Sequence, residues 1–227
     1  MAVSENVAVN LAALRARIAA ACDEAGRDPS TITLLAVSKG HSTDKVRAAY
    51  DLGLRDFGEN YAQELSRKAE ALRDLEGLRW RFIGHLQRNK IKLVVGARAS
   101  VDTVDTVRLA EALARNAVSR ATKTEVMIQV NVGREPQKSG CSPEEVPGLV
   151  EAIRAMPSLV LAGIMAVAPH DDDPNDARPY FDTVGELAES HGLAERSMGM
   201  THDLEPAVAA GATMLRIGTA LFGPRPR

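Results

Sequence analysis

The stretch LVLAGIMAVA at residues 159–168 is apolar at both alternating positions of an extended chain. A strand apolar on both faces is buried on both, as in parallel sheets covered by helices. The stretch therefore predicts a strand over residues 159–167, with a packed interior on one side and helices on the other. Working outward, comparable apolar or β-branched runs lie at 31–38, 55–57, 80–84, 99–101, 125–132, 196–200 and 213–217, those at 55–57 and 99–101 being short. Segments of helical character separate them at 43–52, 62–75, 106–120, 143–156, 175–191 and 204–210. Strict alternation of strand and helix implies parallel strands joined by crossover helices. Ahead of the first strand, Val7, Leu11, Leu14 and Ile18 share one face of a helix. The pattern predicts an α/β fold, a single (β/α)8 TIM-type barrel with an extra N-terminal helix; a doubly wound open sheet is the runner-up.

With 227 residues, the chain fits one domain spanning 1–227. Hydrophobic residues make up 45% and aromatics only 4%, so the core must be aliphatic. A net charge of −2 attracts neither nucleic acid nor an anionic membrane, which leaves a small molecule as the expected partner. The basic stretch Arg79, Arg81, Arg88, Lys90 and Lys92 lacks interleaved stacking residues and reads as a solvated helix face. Charges within the N-terminal run argue against a signal peptide, and no apolar run reaches the roughly 18 residues of a membrane span. Two cysteines, Cys22 and Cys141, have no metal-ligand spacing and fit a reducing compartment, so a cytoplasmic location is expected. His170 and the three aspartates after it read as a solvated loop that starts a helix, with no metal implied.

Barrels of this type place their chemistry at the C-terminal ends of the strands. The first run closes as LLAVSKG, residues 34–40, with Leu35, Val37 and Lys39 on one face by the period of two. Apolar walls disfavour an ammonium ion, lower the lysine pKa and leave a nucleophile able to condense with an aldehyde. Taken alone, Lys39 also reads as a lysine whose head snorkels out of a strand end. The seventh run closes as SMGMT, 197–201, and the eighth as RIGT, 216–219. Loops at these two positions commonly hold phosphate, and Gly199, Thr201, Gly218 and Thr219 suit that role, although Gly and Thr also simply make tight turns. Glu59, Asn60, His85, Asn131, Arg134 and Lys138 add polar groups to the same rim. Glu59 or Asn60 could instead cap the next helix, and His85 could be a satisfied core histidine.

Taken together, these motifs resemble the pyridoxal phosphate homeostasis protein family, similar in fold to the barrel domain of alanine racemase. The carrying residues are LAVSK at 35–39, FGEN at 57–60 with Tyr61 and Glu64, FIGHLQ at 82–87 with Asn89 and Lys90, and VNVG at 130–133 with Glu135, Lys138 and Gly140. They continue as GIM at 163–165, SMGM at 197–200 with Asp203, and RIGTA at 216–220 with Phe222 and Gly223. Thr201 stands where the family usually has Ser, which keeps the hydroxyl, and Leu215 where it usually has Val. The resemblance implies pyridoxal 5′-phosphate (PLP) as a Schiff base on Lys39, with Thr201, Gly218 and Thr219 on the phosphate. It further implies Arg216 at the pyridine nitrogen, Asn60 beside the ring, and Ser197 and Gly199 within the cofactor site; Lys138 is a candidate for a secondary PLP contact that the sequence leaves open. The implied role is buffering or delivery of PLP, with PLP-dependent apoenzymes as recipients, a monomeric state and no robust catalysis. A PLP enzyme of the alanine racemase type acting on small amino acids is the alternative. Racemisation needs a second base, yet none of Tyr50, Tyr61 and Tyr180 reads as standing at a strand end, and no racemase-type C-terminal domain is expected beside the barrel.

Overall fold

In the computed structural model, which describes residues 2–225, eight parallel strands close into a barrel in sequence order, with β8 hydrogen-bonded back to β1. The strands are β1 (Thr33–Val37), β2 (Asp56–Glu59), β3 (Arg79–Phe82), β4 (Ser100–Val104), β5 (Thr124–Val130), β6 (Leu159–Ala166), β7 (Glu195–Ser197) and β8 (Met214–Ile217). The helices are α1 (Ala2–Glu24), α2 (Thr43–Asp51), α3 (Ala62–Ala71), α4 (Ile91–Gly96), α5 (Val107–Ser119), α6 (Val146–Arg154), α7 (Arg178–Ser190), α8 (Leu204–Ala209) and α9 (Thr219–Phe222). The open-sheet alternative is excluded by closure.

Each run forms a strand, trimmed or extended by a few residues. Residues 143–145 and 175–177, expected to be helical, lie in 3-10 turns, Pro143–Glu145 and Pro174–Ala177, opened by prolines, whose fixed φ suits a first turn. Helix α4 was not anticipated, because its six residues follow a polar stretch and are too short to show periodicity. The reading of Arg79 and Arg81 as part of a solvated helix face is corrected: both lie on β3. Arg81 is buried, its Nε donating to Asp102 at 2.9 Å and its Nη2 to Glu125 at 3.0 Å and Glu195 at 2.9 Å. A strand two residues apart in charge looks like a surface face in sequence; the carboxylates that accept these protons come from three other strands.

Leu35, Met127, Met165 and Met214 fill one apolar cluster in the barrel, against which Ile83 and Val167 pack. A larger cluster lies between the sheet and the helices, and both are dominated by aliphatic side chains, as the composition requires. Helix α1 contributes Val7, Leu11, Leu14 and Ile18 to it, the face its spacing predicts, and packs on α2, α8 and α9. Cys141 is buried and bridges to Val130, and burial pushes its thiol up to about 12. No helix among the described residues is long and apolar enough to cross a membrane, and they contain no cluster of His, Cys, Asp and Glu suited to a metal.

Candidate functional site

The β7–β8–β1–β2 order makes one contiguous arc of the C-terminal rim. Lys39 follows β1 in a turn, half-buried, and its amine is held below the ordinary lysine range by burial first and by Arg225 second, with Glu59 acting the other way. The register pairs Ala36 with Ile217, so the turn carrying Lys39 stands beside Gly218 and Thr219. A side chain at Gly218 would bring its Cβ to 3.3 Å from the Val37 carbonyl oxygen, which fits a glycine in this close approach. Beyond β7, Gly199 has φ +90° and a Cβ there would lie 2.5 Å from that of Ala207, so only glycine lets the 198–203 loop fold back over α8. The loop is fastened by the Met200 amide donating to Asp203 Oδ1 at 2.6 Å and by the Arg216 amide donating to the Gly199 carbonyl at 3.0 Å.

Arg216 is buried beneath this arc. Its guanidinium donates to the Ser197 carbonyl at 2.5 Å, to Ser197 Oγ at 3.0 Å and to the Ala166 carbonyl at 2.7 Å. Burial lowers its pKa to about 10, opposed by Asp203 and Asp102, so it remains a cation at neutral pH. Ser197 is thereby fully buried and orients Arg216 from below the rim. Asn60 follows β2, and its buried Oδ1 has no hydrogen-bond partner among the described residues.

The expected residues thus fall into two groups. Lys39, Asn60, Gly199, Thr201, Gly218 and Thr219 line the arc with Arg216 and Ser197 under it. Lys138 stands on the β5–β6 side instead, its Nζ donating to the Ala168 carbonyl at 3.1 Å and pairing with Glu135. It lines a cavity of about 230 Å³ together with Asn60, His85, Asn131 and Ser139. His85 is exposed at the rim, which corrects the core-histidine reading. Neither Glu59 nor Asn60 caps α3, because Tyr61 occupies that position. Tyr61 also corrects the view that no tyrosine stands near a strand end: it lies two residues past β2 and is 58% exposed.

Sequence reasoning missed the support behind Lys39. Ser38 Oγ donates to Glu59 Oε1 at 2.6 Å, Lys68 Nζ donates to the Ser38 carbonyl and to Glu59 Oε1, each at 2.7 Å, and Glu64 Oε1 accepts from the Gly40 amide at 2.8 Å. The backbone on both sides of Lys39 is therefore tied to α3. The i,i+4 spacing of Glu64 and Lys68 was legible as a helix pair; its target on another strand was not.

The model of the alanine racemase N-terminal domain family matches residues 9–226. A pyridoxal phosphate homeostasis protein of Pseudomonas aeruginosa is 44% identical over 221 residues, 96% of both chains. One from Aquifex aeolicus is 39% identical over 226 residues, covering 97% of this chain and 99% of that one. Among solved structures, PipY of Synechococcus elongatus with PLP bound is 34% identical with a TM-score of 0.80, over 96% of this chain and 100% of that one. Alanine racemase of Clostridium difficile, at 14% identity and a TM-score of 0.74, shares the fold over 98% of this chain and 57% of its own. With matches of this extent, the chain belongs to the alanine racemase N-terminal domain family, and within it to the pyridoxal phosphate homeostasis proteins.

Proposed function

We propose that this protein binds PLP as a Schiff base on Lys39 and serves intracellular PLP homeostasis as a monomeric, single-domain cytoplasmic carrier. It buffers the cofactor or hands it to PLP-dependent apoenzymes, without robust turnover of its own. The observation that carries this reading is a half-buried amine with a depressed pKa standing beside two glycine-containing loops on adjacent strands. The residues present fit the group: Gly218 leaves room that a Cβ would narrow, and the orphaned Asn60 Oδ1 offers an acceptor beside Lys39's strand. PLP supplies an aldehyde that a neutral amine can attack and a ring that withdraws electrons.

In this reading Lys39 provides the covalent tether, while Thr201, Gly218 and Thr219 hold the phosphate through a hydroxyl and loop amides. Gly199 shapes the loop, and Asn60 orients the ring. Arg216 can donate but cannot accept a proton, so against a ring nitrogen it keeps that atom unprotonated and limits the electron sink. Its positioning by Ser197 and Ala166 makes that polarity a fixed feature of the site. Lys138, which lines a cavity with Asn60, serves as a secondary contact for PLP.

Thr201→Ala and Arg216→Ala test the assignment. A hydrogen bond to a charged group contributes about 1.5–3 kcal/mol, so losing the Thr201 hydroxyl is expected to weaken PLP affinity roughly ten- to a hundredfold in equilibrium titrations. Arg216→Ala is expected to weaken it as well; unchanged affinity in both variants would place the phosphate elsewhere.

The exposed Tyr61 at the end of β2 is the one feature that favours a racemase-type enzyme acting on small amino acids. With L-alanine in heavy water, the carrier reading expects negligible α-proton exchange and negligible D-alanine, because a missing positioned base alone costs about 10² to 10⁴ in rate. Exchange at an ordinary enzymatic rate of about 1 to 10³ per second, lost in Tyr61→Phe, would establish the enzyme instead.

A further inference from the structure

The two loops that line the proposed phosphate site are both fastened from outside the barrel by the same helix. Arg17 of α1 donates from Nη1 to the carbonyl of Thr201 at 2.7 Å, while its Nε and Nη2 form a two-pronged pair with Glu205 at 2.5 and 2.6 Å. Glu205 lies in the first turn of α8, so one guanidinium clasps the β7 loop to the helix that follows it. Two turns earlier on α1, Asn10 Nδ2 donates to the carbonyl of Leu221 at 3.0 Å, in the segment that follows β8. The spacing of seven residues puts Asn10 and Arg17 on one side of α1, next to the apolar face of Val7, Leu11, Leu14 and Ile18 that seats the helix.

We propose that α1 is a strap across the phosphate site, with Arg17 and Asn10 as positioning residues that hold the 198–203 and 218–223 loops at the spacing a phosphate needs. The inference rests on the assignment of phosphate to these loops and extends it to residues that touch neither phosphate nor ring. Both bonds are made to backbone carbonyls, so they fix the loops without using the Thr201 hydroxyl. The pair gains from its two-pronged geometry, and the Glu205 hydrogen bond raises the Arg17 pKa while Glu205's own falls, so the clasp stays charged across the physiological range. A carrier must also let its cargo go, and α1 is the element whose loosening relaxes both loops at once.

The test compares PLP with pyridoxal, which has the same aldehyde and ring but no phosphate. In Arg17→Ala and in Asn10→Ala, PLP affinity should fall about three- to tenfold each, less than the loss of a hydrogen bond made to the phosphate itself because these residues act through the loops, whereas pyridoxal affinity should stay within about twofold of wild type. Arg17→Lys, which keeps the charge without the fork, should recover only part of the loss. Equal weakening of PLP and pyridoxal would reduce the two residues to general structural supports, and no weakening of PLP would remove the strap altogether. If the wild-type protein itself bound PLP no better than pyridoxal, the phosphate assignment would fall first and the strap with it. The three results are distinguishable within one set of titrations.

Discussion

Lys39→Ala is expected to eliminate the protonated-imine absorbance band on the purified protein and the borohydride-fixed mass, while the melting temperature stays within about 2 °C of wild type. The protonated-imine band and the borohydride-fixed adduct both require an imine conjugated to the ring, and an alanine cannot form one. The fold should tolerate the change because Lys39 is half-buried at the rim and its side chain makes no hydrogen bond or ion pair among the described residues. Residual, non-covalent binding through the phosphate should remain. In the wild-type protein, the rate of adduct formation should rise with pH as the amine loses its proton. Burial and the nearby Arg225 disfavour the ammonium, so the midpoint of that rise should lie below the ordinary lysine value of about 10.4. A midpoint at or above it, or a reduced adduct mapped by mass spectrometry to Lys90 or Lys138, would contradict the assignment of Lys39.

The second large effect is on stability. Arg81→Met should lower the unfolding free energy by about 3–5 kcal/mol, because it leaves the fully buried carboxylate of Asp102 without its cation. For a chain of this length that corresponds to a fall of roughly 6–20 °C in melting temperature. Glu125 and Glu195 are partly exposed and can be rehydrated, so Asp102 carries most of the cost. Burial already holds the Asp102 carboxyl above its ordinary range, with Arg81 opposing, and removal of the cation raises it further. A folded-state pKa above the unfolded value of about 3.9 means that protonation favours the folded state, so the deficit should be full above the raised pKa and shrink on acidification through it. Adding Asp102→Leu to Arg81→Met should recover much of the loss, since an apolar pair has no charge to desolvate. An Arg81→Met protein as stable as wild type at pH 7 would show that the cluster contributes little.

The architecture was legible because local rules and global packing agree. Runs such as 159–168 are apolar on both faces, which only a strand between a filled interior and a helical layer satisfies, and the observed β6 spans Leu159–Ala166. The short strands β2 and β4 were weaker signals, and α4 was invisible, for the same reason: a few residues cannot display a period. Strand-end positions of Lys39, Gly199, Thr201, Gly218 and Thr219 followed from the strand boundaries, and closure of the barrel gathers them on adjacent strands.

Partners across the fold were not legible, because the sequence separation between them carries no pattern. Arg81 draws its carboxylates from Asp102, Glu125 and Glu195, and only the barrel's closure turns an apparent basic surface stretch into a buried ion cluster. The ties from α3 to the backbone around Lys39, and from Arg17 to a carbonyl 184 residues away, have the same origin. The sequence by itself determined which residues form strands and helices and which residues end each strand, since those depend on periodicity and on the chemistry of a few neighbours. Tertiary structure alone decided that Lys39 stands beside the β8 loop while Lys138 lines a cavity with Asn60 from the β5–β6 side, that Ser197 serves Arg216 from below, and that α1 reaches both loops, because each depends on the order and register in which the strands close.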